Sequence, residues 1–171
     1  MSEVLELAFN FIEGYTQDQN TQIKLYTILY NVFRPTERYR YDVFMRLLQF
    51  WEHNKCADVI KNNLESIDEI TKKWDISIHE RIEMYKKAID LFVASDEKLA
   101  AYQLLIKTLK LLEDDTELIM ANQFLVTQAI TIGLQHPKVA QFDVLYNLPA
   151  VKAQKEAKTN EKLFELLHIF T

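Results

Sequence analysis

Residues 77–136 read SIHERIEMYKKAIDLFVASDEKLAAYQLLIKTLKLLEDDTELIMANQFLVTQAITIGLQH. Ile78, Ile82, Tyr85, Ile89 and Phe92 recur at steps of four and three. Leu99, Tyr102, Ile106, Leu109 and Leu112 keep a similar rhythm after a break at Ser95-Asp96. Such steps bring side chains to one side of a helix. The stretch therefore predicts three consecutive amphipathic helices with almost no linker. The third carries two apolar faces. Leu118, Asn122, Leu125, Ala129 and Ile132 mark one, and Ile119, Val126, Ile130 and Gly133 mark the other. A helix with two apolar faces is covered on both. The third helix is thus expected to be central, with an array continuing on either side of it.

Composition agrees with this reading. The chain has two glycines and three prolines in 171 residues, against ordinary usage of roughly 7% and 5%. Sheets and tight hairpins need more of that punctuation, whereas helices do not. With 49% hydrophobic residues a sizeable core is available. The expected fold class is all-α: stacked antiparallel helix pairs forming one helical-repeat domain over residues 1–171. Each pair buries its apolar face only against the next. No fixed period names a tetratricopeptide register.

Charge and cysteine content narrow the function classes. The formal net charge of −5 argues against a nucleic-acid binder that uses its whole surface. Local basic patches remain open. The single cysteine, Cys56, excludes an intramolecular disulfide and a cysteine-built zinc site, and it fits a reducing compartment. The opening MSEVLELAF lacks the basic and long apolar regions of a signal peptide. No run approaches the ~18 apolar residues of a membrane span. The cytosol or the nucleus follows by elimination, read here as cytoplasmic, and no membrane partner is expected.

The flanking segments extend the helical pattern. A first helix is expected over Ser2–Glu13, capped by Ser2 and ended by Gly14 in the left-handed conformation. A second runs Thr21–Phe33 and stops before Pro35. A third, Glu37–Lys55, takes Thr36 as its cap and turns Val43, Phe44, Leu47, Leu48 and Trp51 inward. Asn62-Asn63 breaks the next segment, and Ser66–Trp74 reads as a short helix anchored by Trp74. Ser77 with Glu80 three residues on is a capping box. The last helix, Thr159–Phe170, carries Leu163, Leu166, Leu167 and Phe170.

Three stretches carry a family resemblance. LYTILYNVFRPTERYRYDVFMRLLQF (residues 25–50), KKWDIS (72–77) and HPKVAQFDVLYNLPAV (136–151) resemble segments of the m-subunit family of eukaryotic translation initiation factor 3. Within that family the second stretch is a Trp–Asx–Leu–Ser/Thr step between helices. The third is a Pro, a Phe-Asp core and a Leu-Pro-Val turn, matched here by Pro137, Phe142-Asp143, Leu148-Pro149 and Val151. Residues 152–162 depart from the family and are several positions longer. The resemblance covers most of the chain from Leu25 onward.

Such subunits are PCI proteins, shared by the initiation factor, the proteasome lid and the signalosome. The resemblance implies a helical-repeat array followed by a winged-helix subdomain, which would lie beyond residue 171. It implies a non-catalytic scaffold without cofactors. The implied partners are other PCI subunits, the a subunit among them, the f and h subunits, and the small ribosomal subunit through the complex. The alternatives are a PCI subunit of the signalosome or proteasome lid, or a free-standing helical-repeat protein-binding module.

Each candidate site has a simpler reading beside it. Arg34, Arg38, Tyr39, Arg40 and Tyr41 interleave cations with rings that can stack bases; a turn with buried tyrosines and paired arginines is the simpler account. Lys152, Lys155, Lys158 and Lys162 would form a basic stripe if helical, or a solvated face. Arg38, Arg40, Lys152, Lys155 and Lys158 are thus the candidate partner or RNA contacts. Glu113, Asp114, Asp115 and Glu117 suggest diphosphate-bound Mg²⁺, but no second acidic cluster faces them, and acids also favour a helix start. His79-Glu80 begins like a zinc-peptidase motif, yet Glu83 stands where the second histidine belongs. His53, His136 and His168 are scattered along the chain. Cys56 near His53 lacks a clear activating group and suits turn packing.

Overall fold

The computed structural model describes residues 3–15, 18–54, 56–61, 64–136, 139, 142–157 and 161–169. Among them every regular element is a helix. The chain divides into two compact units, Met1–Arg81 and Ile82–Thr171. The first holds α1 (Glu3–Tyr15), α2 (Gln19–Val32), α3 (Tyr39–Asn54), α4 (Asp58–Lys61), α5 (Leu64–Thr71) and the first turn of α6 (Ile78–Ala94). The second holds the rest of α6, then α7 (Lys98–Leu111), α8 (Thr116–Ala121), α9 (Gln123–Gln135), α10 (Asp143–Tyr146), α11 (Pro149–Glu156) and α12 (Glu161–Ile169).

In the first unit α2 packs on both α1 and α3. Leu5, Phe9 and Ile12 form the buried face of α1, at steps of four and three. The Phe9 and Tyr26 rings meet 6.1 Å apart with neither exposed. Full burial of each such large side chain contributes about 1.5–3 kcal/mol. At the edge of this core Arg46 grips Glu13 with two bonds, Nε to Oε1 at 2.7 Å and Nη2 to Oε2 at 2.9 Å. The Tyr26 hydroxyl donates to the same carboxylate at 2.8 Å.

Several element ends differ from the sequence expectation. Gly14 does not end α1 in the left-handed conformation; the helix runs on to Tyr15. Glycine permits that conformation without requiring it, and Tyr15 stacks on Phe11 one turn back, with ring centroids 5.3 Å apart. The α2 cap is Asp18, which accepts from the Thr21 N–H at 2.9 Å. Thr36 does not cap α3. Pro35 and Thr36 are the centre of a turn in which Glu37 N–H donates to Arg34 O at 3.0 Å. The Glu37 carboxylate accepts from Arg34 N–H at 3.1 Å. Proline at the first central position suits such a turn, and it delays the helix to Tyr39. The expected helix ending at Trp74 stops at Thr71, and Trp74 is buried just past it. The expectations at Ser2 and Asn62-Asn63 lie outside the described residues.

In the second unit α9 is the centre. It packs on α7, α11 and α12, as its two apolar faces predict. The sequence reading of one helix from Leu118 to Ile132 is corrected by a break at Asn122. In an unbroken helix the Leu118 carbonyl would accept from the Asn122 backbone. Here the Asn122 side chain takes that carbonyl at 2.8 Å. The Asn122 N–H turns to Ile119 O at 3.2 Å, and Leu125 N–H bonds Asn122 O at 3.1 Å. Asparagine competes for backbone partners in this way, and the ladder tightens locally to three-residue spacing.

Candidate functional site

The corner between α3 and α6 is built on a local signal. Ser77 N–H donates to Glu80 Oε2 at 2.9 Å, and Glu80 N–H donates to Ser77 Oγ at 3.2 Å. This is the expected capping box, and it holds the Glu80 carboxylate at the helix start. From the turn just before α3, Arg38 Nη2 donates to Glu80 Oε1. The Tyr41 hydroxyl donates to the Glu80 backbone oxygen at 3.2 Å. The Arg38 bond, then the Ser77 N–H, holds Glu80 below its ordinary pKa. Beneath this corner Trp74 meets Tyr41 at 6.2 Å and Phe44 at 5.5 Å between ring centroids.

Beside Trp74 lies an apolar groove of about 260 Å³. Ile23 and Tyr30 come from α2, Phe44, Leu47 and Trp51 from α3, Ile60 from α4, and Ile67 and Ile70 from α5. The Trp51 and Trp74 indole N–H groups are buried without a hydrogen-bond partner among the described residues. Sequence reasoning placed most of these rings inward but missed that they leave a concave wall. The run of Tyr30, Phe44, Trp51 and Trp74 was the available signal.

Of the candidate contacts, Arg38 is half exposed and paired with Glu80. Arg40 donates Nε to Phe33 O at 2.8 Å and lies over the Tyr30 ring at 4.6 Å. Tyr41 is buried, while Tyr39 is exposed and meets Phe33 at 5.3 Å. Lys152 and Lys155 are exposed on α11. The Lys155 ammonium donates to the Tyr146 hydroxyl and lies 4.8 Å from that ring's centre. Lys158 lies outside the described residues. α11 ends at Glu156 and Lys162 stands on α12, so one continuous helical stripe is not formed.

The remaining candidates fall at helix ends. Asp115 caps α8, accepting from Leu118 N–H at 3.0 Å, and Glu113, Asp114 and Glu117 are exposed. His79 is exposed in the first turn of α6. His53 and His168 sit in the last turns of α3 and α12, and His136 caps α9. Among the described residues no three metal-ligating side chains gather. Cys56 is half-buried, with Sγ 3.4 Å from Asn54 O. No described helix is long and apolar enough to cross a membrane.

The known proteins that this chain resembles share one name. The chain is 29% identical, over 160 residues and 91% of its length, to a protein of Dictyostelium discoideum. That protein is eukaryotic translation initiation factor 3 subunit M. Our chain is similar to it. Subunit M of Pyricularia oryzae is 26% identical over 84% of the chain, and subunit M of Chaetomium globosum is 24% identical over 73%. The matches cover 38%, 34% and 30% of these relatives, so the chain spans well under half of subunit M in each. No family model and no solved structure matches.

Proposed function

We propose that this chain serves as a structural, non-catalytic subunit of eukaryotic translation initiation factor 3. The observation that carries the reading is similarity along 91% of the chain to a named subunit M. The helical frame supports it, because stacked helices give extended surfaces for protein contacts. In this role the helices hold neighbouring subunits in a fixed geometry in the cytoplasm. The proposed neighbours are other PCI subunits, including the a subunit, and the f and h subunits. The small ribosomal subunit is reached through the complex. Arg38, Arg40, Lys152, Lys155 and Lys158 are the proposed contacts. We read the chain as the helical-repeat part of a longer subunit with a winged-helix portion. Intact mass of the native protein tests this, and a product ending at Thr171 removes it.

Affinity purification of the tagged native protein at moderate salt, followed by mass spectrometry, tests the role. Stoichiometric initiation-factor subunits with small-ribosomal-subunit proteins are expected. Recovery of signalosome or lid subunits, or of the protein alone, overturns the proposal.

A further inference from the structure

Helix α1 is apolar on more of its circumference than its neighbours cover. Leu5, Phe9 and Ile12 are buried, but Val4, Leu7, Phe11 and Tyr15 are 73%, 68%, 62% and 65% exposed. Their steps of three, four and four place them on one stripe, roughly 16 Å long. The Phe11 and Tyr15 rings stack within it. A Cβ added at Gly14, beside the stripe, meets no described atom within 4 Å. Four aligned large apolar side chains are an interaction surface, not the scattered exposure of an ordinary helix.

The charge around the stripe selects its occupant. The first 23 residues contain Glu3, Glu6, Glu13 and Asp18 and no lysine or arginine. Glu13 is held by Arg46, and Asp18 caps α2. Glu3 is exposed on the border of the stripe, one turn before Leu7, and Glu6 is exposed further round the helix; neither forms an ion pair among the described residues. A second copy of α1 laid parallel on the first would set Glu3 against Glu3. An anionic lipid surface would meet the same repulsion. A helix with an apolar seam and a lysine or arginine flank satisfies both features, since opposite charge selects the partner and spacings of three and four interlock.

We propose that the Val4–Leu7–Phe11–Tyr15 stripe of α1, flanked by Glu3 in a segment that carries acids and no lysine or arginine, docks a basic amphipathic helix of a partner protein. The assignment stands on α1 alone, so it survives or fails independently of which complex the chain joins. The test uses the whole chain and two stapled helical peptides of ~20 residues. Both carry the same leucine stripe; one is flanked by lysine and its twin by glutamate. Fluorescence anisotropy at low salt is expected to show the lysine peptide binding about tenfold or more tightly than its twin. Leu7→Ala with Phe11→Ala weakens that binding by about tenfold or more, with the melting midpoint lowered only slightly, because both side chains are exposed and only the Phe11–Tyr15 stack is lost. Glu3→Lys with Glu6→Lys reverses the preference, a gain of binding that misfolding does not produce. Equal affinity for the two peptides, binding of neither, or indifference to these substitutions overturns the proposal. So does sedimentation showing a dimer that Leu7→Ala with Phe11→Ala dissociates, which would make a second copy the occupant.

Discussion

Gly133 shows how one missing side chain shapes the second unit. A Cβ there would stand 2.9 Å from both Phe142 Cε1 and Tyr102 Cε2. Both rings are buried, so they have little room to give. Alanine gains up to ~1 kcal/mol over glycine in a helix, but overpacking a filled core costs about 1–3 kcal/mol. Gly133→Ala is therefore expected to destabilise by about 1 kcal/mol in a urea titration. The opposite case is Glu113, an exposed residue held at φ 46°. A left-handed non-glycine residue costs roughly 1–2 kcal/mol, while glycine adds ~0.5–1 kcal/mol of chain entropy. Glu113→Gly is thus expected to raise stability by about 0.5 kcal/mol in the same titration. Gly133 was legible in the sequence as a position on an apolar face. The rings that press on it were not, because Tyr102 reaches it from another helix.

Among the elements, signals carried by neighbouring residues were readable. The Ser77 capping box is one, and Ser77→Ala is expected to lower stability by about 1 kcal/mol, read as an earlier thermal midpoint. The apolar periodicity of α6 and the two-faced character of α9 also survive in the structure, whereas on α7 Leu99 and Ile106 are only half-buried and Ala101, Leu104, Leu105 and Thr108 turn inward. Where the reading failed, a residue had two courses open to it. Gly14 is free to turn or to continue, and the Phe11–Tyr15 stack favours continuing. Asn122 fits the apolar spacing of one helix, yet its side chain takes the Leu118 carbonyl and interrupts the ladder. Periodicity reports which face a residue lies on, not which backbone group its side chain captures.

For the molecule as a whole, the pairs that link distant elements escaped sequence reasoning. Glu13 and Arg46 are 33 residues apart, and Arg38 and Glu80 are 42 apart; nothing local names such partners. They set a shared response to acid. Burial alone would raise the Glu13 pKa, but the Arg46 and Tyr26 bonds outweigh it and hold it below the ordinary 4.5. Glu80 is lowered from the same value by Arg38 and Ser77. A depressed carboxylate stabilises the fold above its unfolded pKa and loses that contribution as pH falls through the folded value. Thermal midpoints are therefore expected to be level near neutrality and to drop below about pH 4.5, with a shallower drop in Glu13→Gln and Glu80→Gln. The break at Asn122 bears on the chain in another way. In a continuous helix each inserted residue swings everything downstream by about 100°, which would rotate the two faces of α9 away from α7, α11 and α12. At a point where the backbone ladder already restarts, an extra residue can be taken up by the turn. Length variation that leaves this core in register belongs at Asn122.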